Sequence, residues 1–589
     1  MGWESWATLV VVAGVVVALA RGGASPALAM FFGLVAVVLL GIVSPAQAFA
    51  GFSNPAPITI AALFVVAGGI EKTGALQPLI QAILGRGEGE RRSLARLVSV
   101  VAMASAGMNN TPIVAMLSPQ VANWAERRNR SPSRYLMPLS FAAIFGGLVT
   151  LIGTSTNVVV SGLLESLGMP ALGMFEITPL GLPIALAGLA LTVLAAPVLL
   201  PPRRSSSASA GEDVREFVVH MTVESGSRMD GIAVEAGGLR HLRGLFLAGL
   251  ERDGEWLAPV APTARLRGGD LLAFVGVADA VLELQRMRGL TSTEERHFLD
   301  FADPGHTFFE AVVGGASPLV GRTLREASFR DRYQAAVVAV HRAGSRVHGK
   351  LGDLPLRVGD TLLLLADPGF GPRWKDRSDF LLVSRLGGPS PVASRSAPFA
   401  ALIALGVLLS AGLGLLPVLH ASLAGGSLMI LLGILTPSEA RGSVSLDVLI
   451  VVAAGFGLGA AVQESGLAAT VAQTVLAPLG ALGAPWALAG VVLVTLMLTE
   501  LITNTAAAIL VFPIAVAVAT DVGASPRAFA IAVAVAASCS FLTPLGYQTN
   551  TMVYGPGGYR FTDYARLGAP LTLLALGGIV GMSFVLGWV

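Results

Sequence analysis

Ser105-Ala-Gly-Met-Asn109-Asn110-Thr111 and, near the other end of the chain, Thr499-Glu-Leu-Ile-Thr503-Asn504-Thr505 are the two stretches whose reading decides the fold. Each puts a hydroxyl side chain four residues ahead of an uncharged polar triplet, inside an apolar run that continues on both sides. Each is followed by a second matching stretch, Thr150-Leu-Ile-Gly153-Thr154-Ser155-Thr156-Asn157 and Thr543-Pro-Leu-Gly546-Tyr547-Gln548-Thr549-Asn550. Two polar motifs recurring in the same order at nearly the same separation indicate an internal duplication.

The surroundings of these motifs set the class. Of 589 residues 54% are hydrophobic and only 13% charged, with a mean hydropathy of +0.72, which excludes an ordinary soluble protein. Apolar runs long enough to cross roughly 30 Å of hydrocarbon recur in the first and last thirds, so the chain reads as a polytopic α-helical membrane protein. A net charge of +2 gives no reason to expect nucleic acid as a partner. The single cysteine, Cys539, excludes an intrachain disulfide. The first apolar segment follows Gly2-Trp3-Glu4-Ser5, without a basic n-region or a cleavage site, and reads as a retained helix.

In chain order, spans are expected over 6–20, 28–43 and 57–70, then an amphipathic stretch to residue 84 and a polar loop at 85–92. The run 94–124 is mostly apolar apart from Arg96 near its start and the motif at its middle, and each half is short for a span, so it reads as a re-entrant hairpin. Residues 135–165 read as one helix unwound at Gly153 to Asn157, followed by a span over 177–200. Arg21, Arg91, Arg92, Arg127, Arg128, Arg130, Arg134, Arg203 and Arg204 fall in loops that alternating spans place on one side, which the positive-inside rule makes the cytoplasm. The first membrane repeat is thus 1–202. A linker at 203–211 leads to residues 212–293 and 300–386, two small α+β modules, the first with a helical piece at 279–288. Their kinship rests on Arg252-Asp-Gly254 and Gly269-Asp270, which recur at one constant offset as Arg342-Ala-Gly344 and Gly359-Asp360. After a linker at 387–397 the second repeat, 398–589, carries spans at 398–417, 421–436 and 447–464. A second hairpin at 486–518, a second broken helix at 527–553 and a last span at 569–588 follow. Crossing counts give the two repeats opposite orientations, the pattern of inverted-repeat transporters. Residues 203–397 are then cytoplasmic.

Hairpins entering from opposite sides bring their tips together near the midplane beside the unwound helices. Backbone groups left open at that depth need partners. Carbonyls with Ser, Thr and Asn oxygens are hard neutral ligands suited to a sodium ion, while helix N-termini and amides suit an anion. No Lys or Arg lies near either hairpin tip, Arg96 standing at the far start of the first hairpin, so an anion there is balanced by co-bound cations and helix dipoles.

At these residues the chain resembles the divalent anion/sodium symporter family of the ion transporter superfamily, over 1–202 and 395–589. The resemblance implies one sodium site from Ser105, Asn109, Asn110 and the backbone at Gly153, and a second from Thr499, Thr503, Asn504 and the backbone at Gly546. It places the substrate between Asn110, Thr111, Thr154, Ser155, Asn504, Thr505, Tyr547 and Gln548. It also implies a homodimer in the plasma membrane working by an elevator motion. Asn109 and Thr503 stand where the family usually has serine, and Ser155-Thr156 and Gln548-Thr549 replace its common proline pairs. These changes add hydrogen-bonding groups and favour a compact tetrahedral oxyanion; with the inserted middle region they resemble the sulfate-transporting branch. The two modules resemble TrkA-C domains, the C-terminal domains of potassium-conductance regulators, which implies control by a cytosolic small molecule.

The expected function is sodium-coupled symport of sulfate or a similar divalent oxyanion, with no organic cofactor and no enzymatic reaction. Two rivals stay open. One is proton-coupled transport of an oxyanion, dicarboxylate or metalloid through Glu500, the one carboxylate at a hairpin tip. The other is a nutrient sensor that keeps the carrier fold but signals through its modules. The Gly-Asp turns at 269 and 359 read as hairpin chemistry rather than ligand sites. His306, His341 and His348 lack a metal-ligand spacing and read as surface residues, and Gly555-Pro-Gly-Gly558 reads as a turn rather than a phosphate loop.

Overall fold

The structure is a computed structural model that describes all residues except 1, 22–24, 76–88, 129, 204–217, 240–244, 254, 258–259, 277–288, 293–306, 315–316, 343–344, 348–350, 375–378, 386–393, 477–479 and 481. Nearly all of the expected amphipathic stretch to residue 84, half of the loop 85–92, the helical piece 279–288, most of both linkers, His306 and His348 lie outside the described residues. The chain forms two compact units: Met1–Pro202 with Ser390–Tyr554 and Tyr559–Val589, and Arg203–Pro389 with Gly555–Gly558.

The first unit is helical, and seven helical segments among the described residues are long and apolar enough to cross a membrane. It is the membrane part of a polytopic protein. The helices Pro26–Leu39 and Pro55–Thr73 begin at Ser25 and Asn54, whose side chains take the N-cap bond, with proline at the first helical position where its missing N–H costs nothing. Pro26–Leu39 stops four residues before the expected end of its span, because Gly41 adopts the left-handed conformation (φ 71°) that closes a helix. Gly414 and Gly433 close Ala397–Gly412 and Val418–Leu431 in the same way, so these spans too are shorter than the hydropathy pattern implies.

The shortened helices make room for two short ones that hydropathy does not announce, Pro45–Phe49 and Pro437–Ser443. Each starts with a capping box, Ser44 with Gln47 and Thr436 with Glu439. Gln47 then donates to Glu464 (3.3 Å), and Glu439 pairs with Lys72 (2.6 Å). One contact thus recurs in both halves.

Each segment expected as a hairpin is a pair of helices: Glu90–Gly107 with Asn110–Arg127, and Ala484–Leu501 with Asn504–Asp521. The segments expected as broken helices are Ser133–Gly147 with Ser155–Ser166, and Pro526–Ser538 with Gln548–Tyr554. Packing is reciprocal between the halves. Pro55–Thr73 packs on Val418–Leu431, and its counterpart Leu446–Glu464 packs on Pro26–Leu39. Ser155–Ser166 packs on Asn504–Asp521, and Gln548–Tyr554 on Asn110–Arg127. Thr178–Leu199 and Phe561–Val585 pack on each other. Each half therefore supplies part of the surface that buries the other half's polar break.

The second unit holds two five-stranded antiparallel sheets. The first contains β1 (Val218–Val223), β2 (Leu245–Arg252), β3 (Glu255–Leu257), β4 (Leu271–Gly276) and β5 (Leu290–Ser292), in the order β3-β2-β4-β1-β5. The second contains β6 (Thr307–Val313), β7 (Ala335–Arg342), β8 (Ser345–Arg346), β9 (Thr361–Ala366) and β10 (Phe380–Arg385), in the order β10-β6-β9-β7-β8. With strands matched in chain order the two topologies are the same, and an irregularity recurs at Leu247/Gly249 and Val337/Ala339. The Gly-Asp turns have a structural task. Asp270 is gripped through both oxygens by Arg252 (2.8 and 2.6 Å), and Asp360 by Arg342 (2.7 and 2.7 Å). The same carboxylates accept the amides of Arg267 and Arg357. Paired in this way, Asp270 and Asp360 raise the guanidinium pKa values of Arg252 and Arg342 above their usual range. His341 lies on β7 and is buried, 4% exposed, which corrects the surface reading.

Candidate functional site

In the first half the hairpin tip meets the broken helix through glycines. A Cβ on Gly153 would lie 2.8 Å from Gly147 Cα and 3.0 Å from the Ser105 carbonyl, so only glycine lets the tip and the break approach this closely. Ser105 Oγ donates to the Ala143 carbonyl (2.7 Å) and touches the Asn110 side chain. One end of the Asn110 amide lies among Ser105 Oγ, Ala143 O (3.0 Å) and Gly153 O (3.1 Å), and the other end meets the Tyr547 hydroxyl (2.6 Å). If the amide nitrogen faces the three oxygens, it donates to them and Oδ1 accepts from Tyr547. If Oδ1 faces them, four oxygens converge with a single hydroxyl proton among them, an arrangement that calls for a cation. Asn157 braces the break by donating to Gly147 O (3.2 Å) and Thr150 O (2.9 Å).

The second half repeats this plan. Thr499 Oγ1 donates to the Ala537 carbonyl (2.6 Å), and Asn550 Nδ2 donates to Ser540 O (2.9 Å) and Thr543 O (3.4 Å). A Cβ on Gly546 would lie 2.5 Å from the Thr499 carbonyl and 2.2 Å from Ser540 Oγ. That Ser540 hydroxyl is buried and has no hydrogen-bond partner among the described residues. An unsatisfied oxygen beside Thr499 and Gly546 fits a cation better than a dry void. Ser540 stands where the first half has Gly147. The carbonyls of Ala143 and Ala537 carry no side-chain signal at all.

Glu500 breaks the symmetry, since the first half has Ala106 in its place. Its carboxylate accepts the backbone amides of Phe541 (2.7 Å), Leu542 (2.8 Å) and Thr543 (2.9 Å), three donors left open by the end of Pro526–Ser538. An ionised carboxylate is the natural acceptor for such a nest.

The tips cross over to the opposite halves. Asn110 reaches Tyr547, Thr111 Oγ1 lies 3.4 Å from Gln548 Oε1, and Asn504 Nδ2 donates to Thr156 Oγ1 (2.9 Å). The Tyr547 hydroxyl also lies 3.3 Å from Thr154 Oγ1 and within hydrogen-bonding reach of Asn504. First-turn residues of four helices, drawn from both halves, therefore gather at one place. Among the residues the sequence singles out, Ser105, Asn110, Thr111, Gly153, Thr154, Asn504, Tyr547 and Gln548 are linked around that point, with Thr499 and Gly546 directly behind it. Four others are not. Asn109 accepts the Thr111 amide (3.4 Å), and Thr503 caps its own helix through Ala506 N (3.4 Å). Ser155 is a half-buried first residue of its helix, and Thr505 is buried without a side-chain bond to the cluster. The described residues contain no group of three or more His, Cys, Asp or Glu that could hold a metal.

A family model described as "Citrate transporter" matches residues 9–536. The chain is similar to a protein of Chlamydomonas reinhardtii named for a sulfur deprivation response, 36% identical over 94% of this chain and 97% of that one. It is 37% identical to an uncharacterised transporter of Synechocystis, over 92% and 90% of the two chains. It is 25% identical to sodium/sulfate cotransporter 2 of Chlamydomonas reinhardtii, over 90% and 84%.

Proposed function

Because this chain belongs to the citrate transporter family of integral multi-pass membrane carriers, we propose that it is a sodium-coupled symporter of sulfate or a similarly compact divalent oxyanion. The observation that carries this reading is the meeting of both hairpin tips around the Tyr547 hydroxyl, backed by a cluster of neutral oxygens in each half. Helix N-termini at one point carry partial positive charge and free amides, which favour an anion. The oxygen clusters behind them suit sodium, and co-binding spares each charge from being buried alone. The names of relatives support the choice of ions: three algal proteins similar to this chain are named sodium/sulfate cotransporters.

In this reading Ser105, Asn110 and the carbonyls of Ala143 and Gly153 hold one sodium ion. Thr499, Ser540 and the carbonyls of Ala537 and Gly546 hold a second. Asn110, Thr111, Thr154, Asn504, Tyr547 and Gln548 face the anion; Asn109, Thr503, Ser155 and Thr505 shape the tips and helix starts. A homodimer in the plasma membrane moves the two hairpins by an elevator motion, and the two sheet modules lie in the cytoplasm and respond to a small molecule. Proton coupling through Glu500 is disfavoured because three amides already hold its carboxylate.

Purified protein in proteoliposomes tests the proposal. An inward sodium gradient drives radiolabelled sulfate uptake, and potassium in its place abolishes it; equal uptake in the two salts would rule out sodium coupling. One observation favours a second reading, the relative named for a sulfur deprivation response. A sensor would bind sulfate in sodium but show no turnover in the same vesicles.

A further inference from the structure

Positions 154 and 547, 393 residues apart, are equivalent in the duplication, yet one is threonine and the other tyrosine. Both follow the glycine on which the break turns. Threonine leaves its half with a short hydroxyl. Tyrosine sends a whole phenol across to the other half, where its hydroxyl touches Asn110 and Thr154, and the side chain is only 6% exposed. The phenol therefore reaches the first tip at Asn110 and the first break at Thr154.

We infer that Tyr547 is the specificity-determining residue of the anion site: its ring limits the substrate to a compact tetrahedral oxyanion, and its hydroxyl donates to one oxygen of that anion. The inference rests on the function proposed above and deepens it. Bulk is the first argument, since a polycarboxylate spans several more bonds than sulfate and needs the volume the ring occupies. Hydrogen-bond chemistry is the second. Where Asn110 turns Oδ1 to a cation in the oxygen cluster and Nδ2 to the phenol oxygen, the phenol proton can turn from Thr154 Oγ1 toward a ligand. The nearby carboxylate, Glu500, has both oxygens engaged by backbone amides. The groups facing the anion are then hydroxyls and amides without a carboxylate among them, which suits a fully ionised anion better than one carrying its own proton. Sites built around a specific hydrogen bond discriminate sharply, because the unmatched ligand leaves a buried polar group unpaired.

The test is sulfate uptake by the full chain in proteoliposomes under a sodium gradient, with citrate, succinate and phosphate as competitors. Wild type, Tyr547→Phe and Tyr547→Thr are compared, the last copying the residue of the other half. Wild type is expected to ignore a hundredfold excess of citrate. Tyr547→Phe raises the KM for sulfate by about tenfold without admitting citrate, the scale of one lost hydrogen bond to a charged ligand. Tyr547→Thr makes uptake sensitive to citrate or succinate. Sulfate transport by wild type with unchanged KM and unchanged competition in both variants would overturn this inference and leave the carrier reading standing. Citrate uptake by wild type would overturn it too, and failure of wild type to move any of the four anions would remove the proposed function along with it. Should Tyr547→Thr not fold, by size-exclusion profile, the sulfate KM and citrate competition of Tyr547→Phe and Tyr547→Leu decide alone.

Discussion

Asn110 carries the most connections of any residue at the site, joining the Ser105–Ala143–Gly153 oxygens to the Tyr547 phenol. Asn110→Ala is expected to reduce sodium-dependent sulfate uptake to background, while the variant still purifies as a monodisperse species. Asn110→Asp supplies a formal charge to the cation cluster and is expected to weaken anion binding more than sodium binding, read by calorimetry of each ion. Glu500 makes a separate prediction. In Glu500→Gln the amide Nε2 must replace one carboxylate oxygen, so at least one of the three backbone donors at 541–543 loses its acceptor. Leaving a buried donor unpaired costs about 1–3 kcal/mol, so a fall in melting temperature in a thermal unfolding assay is expected. Unchanged melting with a changed pH profile of uptake would instead reveal a proton carrier. Most of these residues were legible in the sequence, because a polar residue within an apolar run stands out and a second copy marks it again. Ser540 was not, since a serine in an Ala-rich run looks like ordinary helix packing until Gly546 is seen against it.

At the scale of elements, helices end and restart where the sequence places features that a helix cannot ignore: an Asn-Thr start, a glycine, a proline. The short helices Pro45–Phe49 and Pro437–Ser443 were missed, as five or seven residues give no hydropathy signal and only their capping boxes announce them. The second of them offers a pH prediction. Its Glu439 carboxyl is held down to about 2, first by the hydrogen bond from Lys72 and then by the amide of Thr436. A carboxylate with a lowered folded pKa stabilises above its unfolded value of 4.5 and loses that contribution as pH falls through about 2. Both side chains are about two-fifths exposed, so the pair contributes no more than about 1 kcal/mol. Glu439→Gln is therefore expected to lower the melting temperature slightly at pH 7, with the difference from wild type shrinking toward pH 3. On the other side of the duplication, Gln47 makes the matching contact with Glu464. Elsewhere, Arg527 at the start of the second broken helix grips Glu176, whose loop precedes the helix Thr178–Leu199, and donates to the Pro170 and Ala171 carbonyls. That guanidinium holds the Glu176 carboxyl below its usual pKa, so the clasp persists into mildly acidic conditions.

At the scale of the whole molecule, the duplication explains both units. In the membrane unit each half supplies part of the surface that buries the other half's polar break, so neither half is expected to fold alone. In the sheet unit the repeat shows as two copies of one Arg–Asp pair, Arg252–Asp270 and Arg342–Asp360, with aspartates 1–2% exposed at the side chain. Breaking such a buried pair from one side costs about 3–5 kcal/mol, so Asp360→Asn is expected to unfold its sheet in the intact protein, seen as fast amide exchange over Ala335–Arg342 and Thr361–Ala366. Protection unchanged from wild type would contradict that assignment of the Gly-Asp turns. The sequence could reveal the doubling of both units because polar residues recur at fixed offsets. It could not reveal which carbonyls close the oxygen clusters, since backbone atoms are the same at every position. The central claim is that cation and anion occupy one site formed by both halves, and the linkage between them measures it most directly. Sulfate affinity of the purified protein, titrated by calorimetry in sodium and again with sodium replaced by choline, is predicted to fall at least about tenfold on replacement, with a matching loss of sodium affinity without sulfate. The same sulfate affinity in both salts, retained in Asn110→Ala and Asn504→Ala, would contradict it.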